Sequence, residues 1–115
     1  MKQMELSSKF LNDELILFRN AKKSGDHNLC LKHLGRAHII SQKSWKTHFY
    51  VHCLMLQYAF IRSDIKEIQG QLLRMAATVP GNLFKKLPIG NTGWSSVGML
   101  EHMSIPEDLK ILFLE

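Results

Sequence analysis

The sequence predicts an all-α protein, and two observations support this class. Apolar residues recur at intervals of three and four up to Val79, the period of a helix with one buried face, and they never alternate for long as in a strand. Turn-forming residues interrupt this pattern at short intervals. We therefore expect two antiparallel helix hairpins that form a four-helix bundle or a short tetratricopeptide-like array, followed by an ordered glycine-rich loop and a short C-terminal helix.

The predicted helices span about residues 4–23, 27–41, 45–62 and 65–79. Gly25 suits the conformation that ends a helix, and Asp26 can cap the helix that follows. Asp64 with Glu67 three residues later resembles a capping box, which would begin the fourth helix. Pro80 is expected to stop this helix, because proline removes a backbone donor.

The helical period also predicts which side chains form the core. In the first helix these are Phe10, Leu11, Leu17, Phe18 and Ala21; in the third, Trp45, Phe49, Leu56 and Ala59; in the fourth, Ile65, Ile68, Leu72, Met75, Ala76 and Val79. The loop is predicted at residues 82–104, with Trp94 and Val97 buried against the helices because so apolar a segment would not remain free. A short helix at 106–114 should begin at Pro106.

Length, charge and apolar content limit the classes of protein. A chain of 115 residues with 45% hydrophobic residues forms one domain, residues 1–115. The net charge of +5 would suit a polyanion, but the basic residues are scattered and the aromatic residues lie on predicted core faces, so nucleic acid is not expected as a partner. No apolar run approaches the roughly 18 residues of a membrane span, and the charged N-terminus lacks a signal peptide. We expect a cytoplasmic protein with free thiols at Cys30 and Cys53.

Three histidines occupy positions where a helix hairpin normally buries leucine or isoleucine. A turn near Lys43 places His38 at the height of His48 on the antiparallel neighbour, and His52 lies one turn further along the same helix face as His48. The first turn similarly places Glu14 at the level of His38. The sequence thus predicts three imidazoles and one carboxylate at one level of the core.

This donor set is typical of a site for zinc or another first-row divalent metal ion. Protease activity is not expected, since Phe49 stands where the H-E-x-x-H motif has glutamate. The sequence indicates no catalytic residues. The alternative is that the histidines form structural hydrogen bonds, Glu14 being one acceptor, and that the chain is a helical protein-interaction module with a protein partner or a second copy of itself.

The segments "HLGRAHIISQ", "THFYVHCLML", "KEIQGQLLR", "LPIGNTGWSSV" and "MSIPEDL" together resemble the bacterial family catalogued as domain of unknown function 3703. The resemblance implies a small, all-helical bacterial protein without an assigned reaction, linked to heavy-metal handling. One departure is Gly35, where the family pattern leads us to expect glutamate. Carried over by motif position, the candidate site residues are His38, His48 and His52 with Gln42, Glu67, Gln71, Gly90, Asn91, Thr92 and Gly93.

Structural roles compete with functional ones at these added positions. Glu67 is accounted for by the capping box, and the antiparallel hairpin is expected to hold it far from His48. Gln42 and Gln71 can satisfy backbone groups at helix ends or in the loop, while Gly90 and Gly93 supply turn conformations. A phosphate-binding role for the P-I-G-N-T-G segment is disfavoured, since no strand precedes it and no G-K-[ST] follows.

Overall fold

Four α-helices in chain order form the body of the protein. The computed structural model describes residues 2–84 and 88–114, and it has α1 at Lys2–Ser24, α2 at His27–Ser41, α3 at Trp45–Ile61 and α4 at Ile65–Leu83. A 3₁₀ helix follows at Glu107–Phe113, and these described parts of the chain hold no strand. Helices α1 and α2 pack together, as do α3 and α4, and the two hairpins meet through α2 and α3. The predicted all-α class is confirmed.

The two hairpin turns have the same construction. Gly25 has a φ of +74° and Ser63 a φ of +54°, and the next residue in each turn is an aspartate. The carboxylate of Asp26 accepts from the amide of Leu29 at 3.1 Å, and that of Asp64 accepts from the amide of Glu67 at 3.1 Å. Each aspartate therefore caps the helix that it precedes.

Helix α4 continues past the predicted stop at Pro80. The amide of Phe84 donates to the carbonyl of Pro80 at 2.9 Å, so a further helical turn follows the proline. The side chain of Asn82 on this turn contacts His48 and the carbonyl of Gln42, which fixes the turn against α2 and α3. The expected boundary at residue 79 is wrong because these contacts compensate for the missing proline donor, and the loop begins after Leu83.

The main core lies between α1, α2 and α3. Its members share near-complete burial, and they are Leu15, Phe18, Ala21, Cys30, Leu34, Ala37, Val51, Met55, Tyr58 and Trp94. A second cluster, formed by Ile39, Ile40, Leu109 and Leu112, holds the 3₁₀ helix against α2. Phe18 and Ala21 were predicted correctly, whereas Leu17 is 44% exposed because α1 turns the neighbouring face with Leu15 inward.

The predicted core faces of α3 and α4 are largely wrong. Trp45 and Phe49 are exposed on α3, and Ile65, Leu72 and Val79 are exposed on α4; Ala76 is exposed too, while Leu56, Ile68 and Met75 are half-buried. The buried residues of α4 are instead Gln71, Arg74, Thr78 and Gly81. The physical reason is that these polar groups find partners inside the protein, so α4 directs its polar face inward.

The segment of residues 88–105, called the strap below, runs across α2 and α4. Trp94 is buried in the main core, and its indole nitrogen donates to the carbonyl of Leu31 at 3.0 Å. Val97 is half-buried, and Ile89 is 46% exposed. Ordered packing of the loop is therefore confirmed at Trp94 and partial at Val97. Residues 85–87 of the predicted loop lie outside the described residues.

No helix in the described part of the chain is long and apolar enough to cross a membrane.

Candidate metal centre

The imidazoles of His38, His48 and His52, called the histidine triad below, meet in the interior. His38 comes from the last turns of α2, and the other two come from successive turns of one face of α3. Each side chain is almost fully buried, with 2–3% exposure. The Nε2 atoms are separated by 2.9 Å between His38 and His48, 3.0 Å between His38 and His52, and 3.2 Å between His48 and His52. The predicted meeting of these side chains is what the structure shows.

The tautomer of His38 is fixed by a backbone carbonyl of the strap. Its Nδ1 lies 2.7 Å from the carbonyl oxygen of Asn91, which can only accept. Nδ1 therefore carries the proton, and in the neutral ring Nε2 presents a lone pair.

The tautomer of His48 follows from Asn82. The amide nitrogen of Asn82 donates to the backbone carbonyl of Gln42, which orients the amide and turns its oxygen toward His48. Nδ1 of His48 lies 2.7 Å from this oxygen and donates to it. Its Nε2 is again left with a lone pair.

His52 is oriented in the same way by Gln71. The amide nitrogen of Gln71 donates to the carbonyl of Gly93 at 2.9 Å and to a carboxylate oxygen of Glu67 at 2.6 Å. Its oxygen therefore faces Nδ1 of His52 at 2.6 Å and accepts from it. A chain of hydrogen bonds thus runs from the imidazole of His52 through the amide of Gln71 to the half-buried carboxylate of Glu67.

The lone pairs of the three Nε2 atoms consequently point toward one another. Their separations are hydrogen-bond distances, yet no neutral ring has a proton on Nε2 to donate. Burial lowers the pKa of all three rings, that of His38 well below its usual value and that of His52 to about 4. A shared proton at neutral pH is therefore disfavoured. A cation between the three nitrogens satisfies all of them at once.

The strap closes over the triad through the other candidate residues. Gln42 accepts from the amide of Gly90 at 2.9 Å and donates to the carbonyl of Pro88 at 2.8 Å. The side chain of Asn91 donates to two strap carbonyls and accepts from the amide of Gly93, which holds its own carbonyl toward His38. Thr92 is half-buried, and a Cβ added at Gly35 would lie 3.3 Å from the Cβ of Thr92. These residues position the imidazoles and the strap.

Gly93 has a specific steric role. Its φ is +85°, and a Cβ added there would lie 2.5 Å from Cδ2 of His38. Only a residue without a side chain lets the strap approach the imidazole so closely.

Glu14 is not brought to the triad. Its carboxylate is buried between His33, whose Nδ1 lies 2.9 Å from Oε1, and Arg36, whose Nε lies 3.0 Å from Oε2. Arg36 also pairs with Asp108, so this network ties α1, α2 and the 3₁₀ helix together. Glu14 reaches Arg36, only two residues from His38, but the imidazole of His38 lies on a different face of α2, against the other two imidazoles of the triad on α3.

Glu67 also departs from its expected role. Its backbone amide donates to the capping carboxylate of Asp64. Its own carboxylate does not complete the capping box, since it accepts from the amide and hydroxyl of Ser95 and from Gln71. Glu67 does not contact the triad directly, as expected, but Gln71 connects its carboxylate to His52. Glu67 therefore connects Ser95 of the strap, through Gln71, to the imidazole of His52.

Sequence reasoning missed Asn82, Arg74 and Thr78 as neighbours of the triad. Asn82 was placed in a loop, and its position on an extended α4 depends on the continuation past Pro80. Arg74 and Thr78 follow Gln71 at intervals of three and four residues, so the face that they share was readable once Gln71 was known to point inward.

A small cavity opens beside the triad. It is lined by the three imidazoles with Arg74, Thr78 and Met99 among others, and its volume is about 20 Å³. That is sufficient for about one or two water-sized groups.

These features define a class: an all-α protein of two hairpins with a strap-covered cluster of three buried histidines within metal-ligand distance of one another. The model of the family described as "Protein of unknown function (DUF3703)" matches residues 5–113, so the chain belongs to this family. No curated protein and no solved structure matches the chain.

Proposed function

We propose that the protein binds a divalent first-row metal ion, zinc first among them, through Nε2 of His38, His48 and His52. The single observation that carries the proposal is the convergence of three Nε2 lone pairs while every Nδ1–H is engaged by an oxygen acceptor. Histidine ligands in metal sites characteristically donate their second ring proton to such acceptors, which fixes the ring and strengthens the ligand.

The size of the triangle supports this assignment. An ion with tetrahedral ligands and Zn–N bonds of about 2.0–2.1 Å separates its nitrogens by about 3.3 Å. The Nε2 separations of 2.9, 3.0 and 3.2 Å are slightly shorter, so a small outward movement of the rings would seat the ion. The site thus requires little rearrangement on binding.

The donor set also favours particular ions. Neutral imidazole nitrogen suits zinc, cobalt, nickel, copper and iron(II), whereas soft heavy metals prefer thiolate. The cluster found among the described residues contains no cysteine. Heavy-metal handling, if it is the role of the protein, would therefore concern borderline first-row ions.

Calorimetry with metal-free protein, prepared without a histidine tag, tests the proposal. We expect one Zn²⁺ or Co²⁺ per chain for the wild type and loss of binding in the His48→Gln/His52→Gln variant, because glutamine keeps polarity and approximate volume but coordinates poorly. His102→Gln is the matched control, since His102 is exposed on the strap.

Thermal unfolding gives a second readout. A ligand at 100 times its dissociation constant stabilises the folded state by about 2.7 kcal/mol if it binds that state alone. Absence of binding to the wild type, or equal binding by the double variant, would show that the histidines are structural and would favour the interaction-module alternative.

A further inference from the structure

We propose that the metal in the histidine triad completes its coordination with a small monovalent anion from solution, held in the cavity beside Arg74. This inference rests on the proposed function and goes beyond it by naming the class of the additional ligand. Three observations carry it: the neutrality of the protein ligands, the charge around them and the size of the cavity.

The protein supplies three ligands and no negative charge. The metal-ligand group found among the described residues consists of His38, His48 and His52, each neutral when it coordinates. A tetrahedral ion would retain one further position, and the cavity that the three imidazoles line is the adjacent space that a further ligand would occupy.

The charge balance around the site calls for an anion. Arg74 is 9% exposed, lines the cavity and donates to the carbonyls of Gly70, Trp94 and Val97, none of which neutralises it. The nearby acid is Glu67, whose carboxylate accepts from Gln71 and Ser95. A divalent ion and one guanidinium against one carboxylate leave a net charge of about +2 in a buried region, which is costly without a counter-charge.

The cavity limits the size of this ligand. Its volume of about 20 Å³ accommodates about one or two water-sized groups, and Met99 and Pro88 line its wall. A diatomic or triatomic anion fits, and a nucleotide or a peptide carboxylate with its chain does not.

Azide added to the Co²⁺-loaded protein is the probe. We expect azide to change the visible cobalt absorption with saturation at one equivalent, and we expect Arg74→Met to weaken azide binding about tenfold or more, since one nearby positive charge is lost. Arg62→Met removes the same charge at an exposed position and should leave azide binding unchanged.

The outcomes separate the two proposals. Failure of Co²⁺ to bind overturns both. Cobalt binding with a spectrum that azide does not alter overturns the anion site alone, and so does an Arg74→Met variant that binds azide as the wild type does. If Arg74→Met does not fold, the azide titration of the wild-type protein still decides the question.

A second observation concerns the outside of the α3–α4 hairpin. Exposed apolar residues recur on one face of each helix, Trp45, Phe49 and Phe60 on α3 and Ile65, Leu72, Val79 and Leu83 on α4. Their spacings are multiples of a helical turn. Leu56, Ile68 and Met75 share the helical spacing of these rows and are half-buried, as expected beside the contact between α3 and α4. We call this surface the outer apolar face.

We infer that the outer apolar face binds a second copy of this chain. Charged side chains are few in the two helices, Lys46 on α3 and Lys66, Glu67 and Arg74 on α4, which suits a similarly uncharged surface and disfavours an acidic or basic partner. Helix α3 has 17 residues and α4 has 19, so helices about 26 Å and 28 Å long and about 10 Å wide offer about 540 Å² per copy, or about 1,100 Å² in a pair. This is near the lower limit for a specific interface, and a two-fold axis makes it self-complementary.

Sedimentation equilibrium at micromolar to 100 μM chain concentrations tests this inference. We expect the wild type to be a dimer and Leu72→Lys to be a monomer, while Leu17→Lys, a change at a similarly exposed leucine of α1, should remain a dimer. A wild type that stays monomeric overturns the inference. Equal association of Leu72→Lys and wild type overturns it too, because the contact would then lie elsewhere.

Discussion

At the scale of single residues, three oxygen atoms decide the chemistry of the triad. The carbonyl of Asn91 and the side-chain oxygens of Asn82 and Gln71 each accept an Nδ1 proton. The amide groups of Asn82 and Gln71 are themselves oriented by backbone carbonyls that can only accept. The positions of the histidines were predictable from helical spacing, but their tautomers were not, because the acceptors come from α4 and the strap.

Gly93→Ala tests the close approach of the strap at this scale. A Cβ 2.5 Å from the ring of His38 must displace that imidazole, and alanine at a φ of +85° is strained. We expect about 1–3 kcal/mol of destabilisation and an affinity for Zn²⁺ lowered about tenfold or more, measured by urea unfolding and calorimetry. Gly98→Ala is the control, since its Cβ would lie 3.6 Å from the nearest atom. Equal metal affinity in both variants would contradict the steric role.

At the scale of elements, the chain repeats its turns but not its packing. Ala21 and Ala59, which are 38 residues apart, accept from the amides of Asp26 and Asp64, both at 3.0 Å, so the two turns are equivalent. Leu34 and its counterpart Leu72 differ completely, with 0% and 52% exposure. Turn chemistry is local and can be read from sequence, whereas the inward face of α4 depends on partners supplied by the strap.

Trp94→Ala tests the strap as an element of the core. The indole is buried and hydrogen-bonded to α2, so its removal should cost about 3–5 kcal/mol. Tyr50→Ala, a change at a residue that is 49% exposed, should cost about 1 kcal/mol or less. Urea unfolding measures both. Similar losses in the two variants would mean that the strap does not contribute to the folding core.

At the scale of the whole molecule, the protein places polar groups inside and leaves apolar surface outside. Helix α4 buries Gln71, Arg74 and Thr78 around the triad and exposes its apolar row. Every fully buried side-chain nitrogen or oxygen in the described residues has a polar atom within hydrogen-bond distance. For the three Nε2 atoms, however, that neighbour is another Nε2, a contact that hydrogen bonding cannot satisfy when all rings are neutral. The described interior therefore holds three imidazole nitrogens that lack a hydrogen-bond donor.

This organisation predicts how stability depends on pH in the metal-free protein. Burial lowers the pKa of His52 from 6.5 to about 4, and lowers those of His38 and His48 too. The unfolded chain takes up protons near pH 6.5 while the folded chain does not, so stability is greatest above this value and falls as the pH decreases toward 4. We expect a loss of about 2–4 kcal/mol between pH 7 and pH 5.

Urea unfolding of metal-free protein at several pH values measures this loss. His52→Gln should reduce the dependence on pH because one depressed imidazole is removed, and His102→Gln should not. Constant stability from pH 7 to pH 5 would contradict the burial of neutral imidazoles.

The sequence by itself determined the all-α class, the two capped turns and the grouping of His38 with His48 and His52, because helical period, turn chemistry and short hairpins act over a few residues. It also predicted the burial of Trp94, because so apolar a loop would not remain free. Only the tertiary structure decided that Glu14 joins His33 and Arg36, that α4 continues to Asn82, and that its apolar row faces outward. Each depends on side chains distant in sequence. The free energy of satisfying a buried polar group can exceed that of burying an apolar one, so the partners present in the fold decided which face of α4 turned inward.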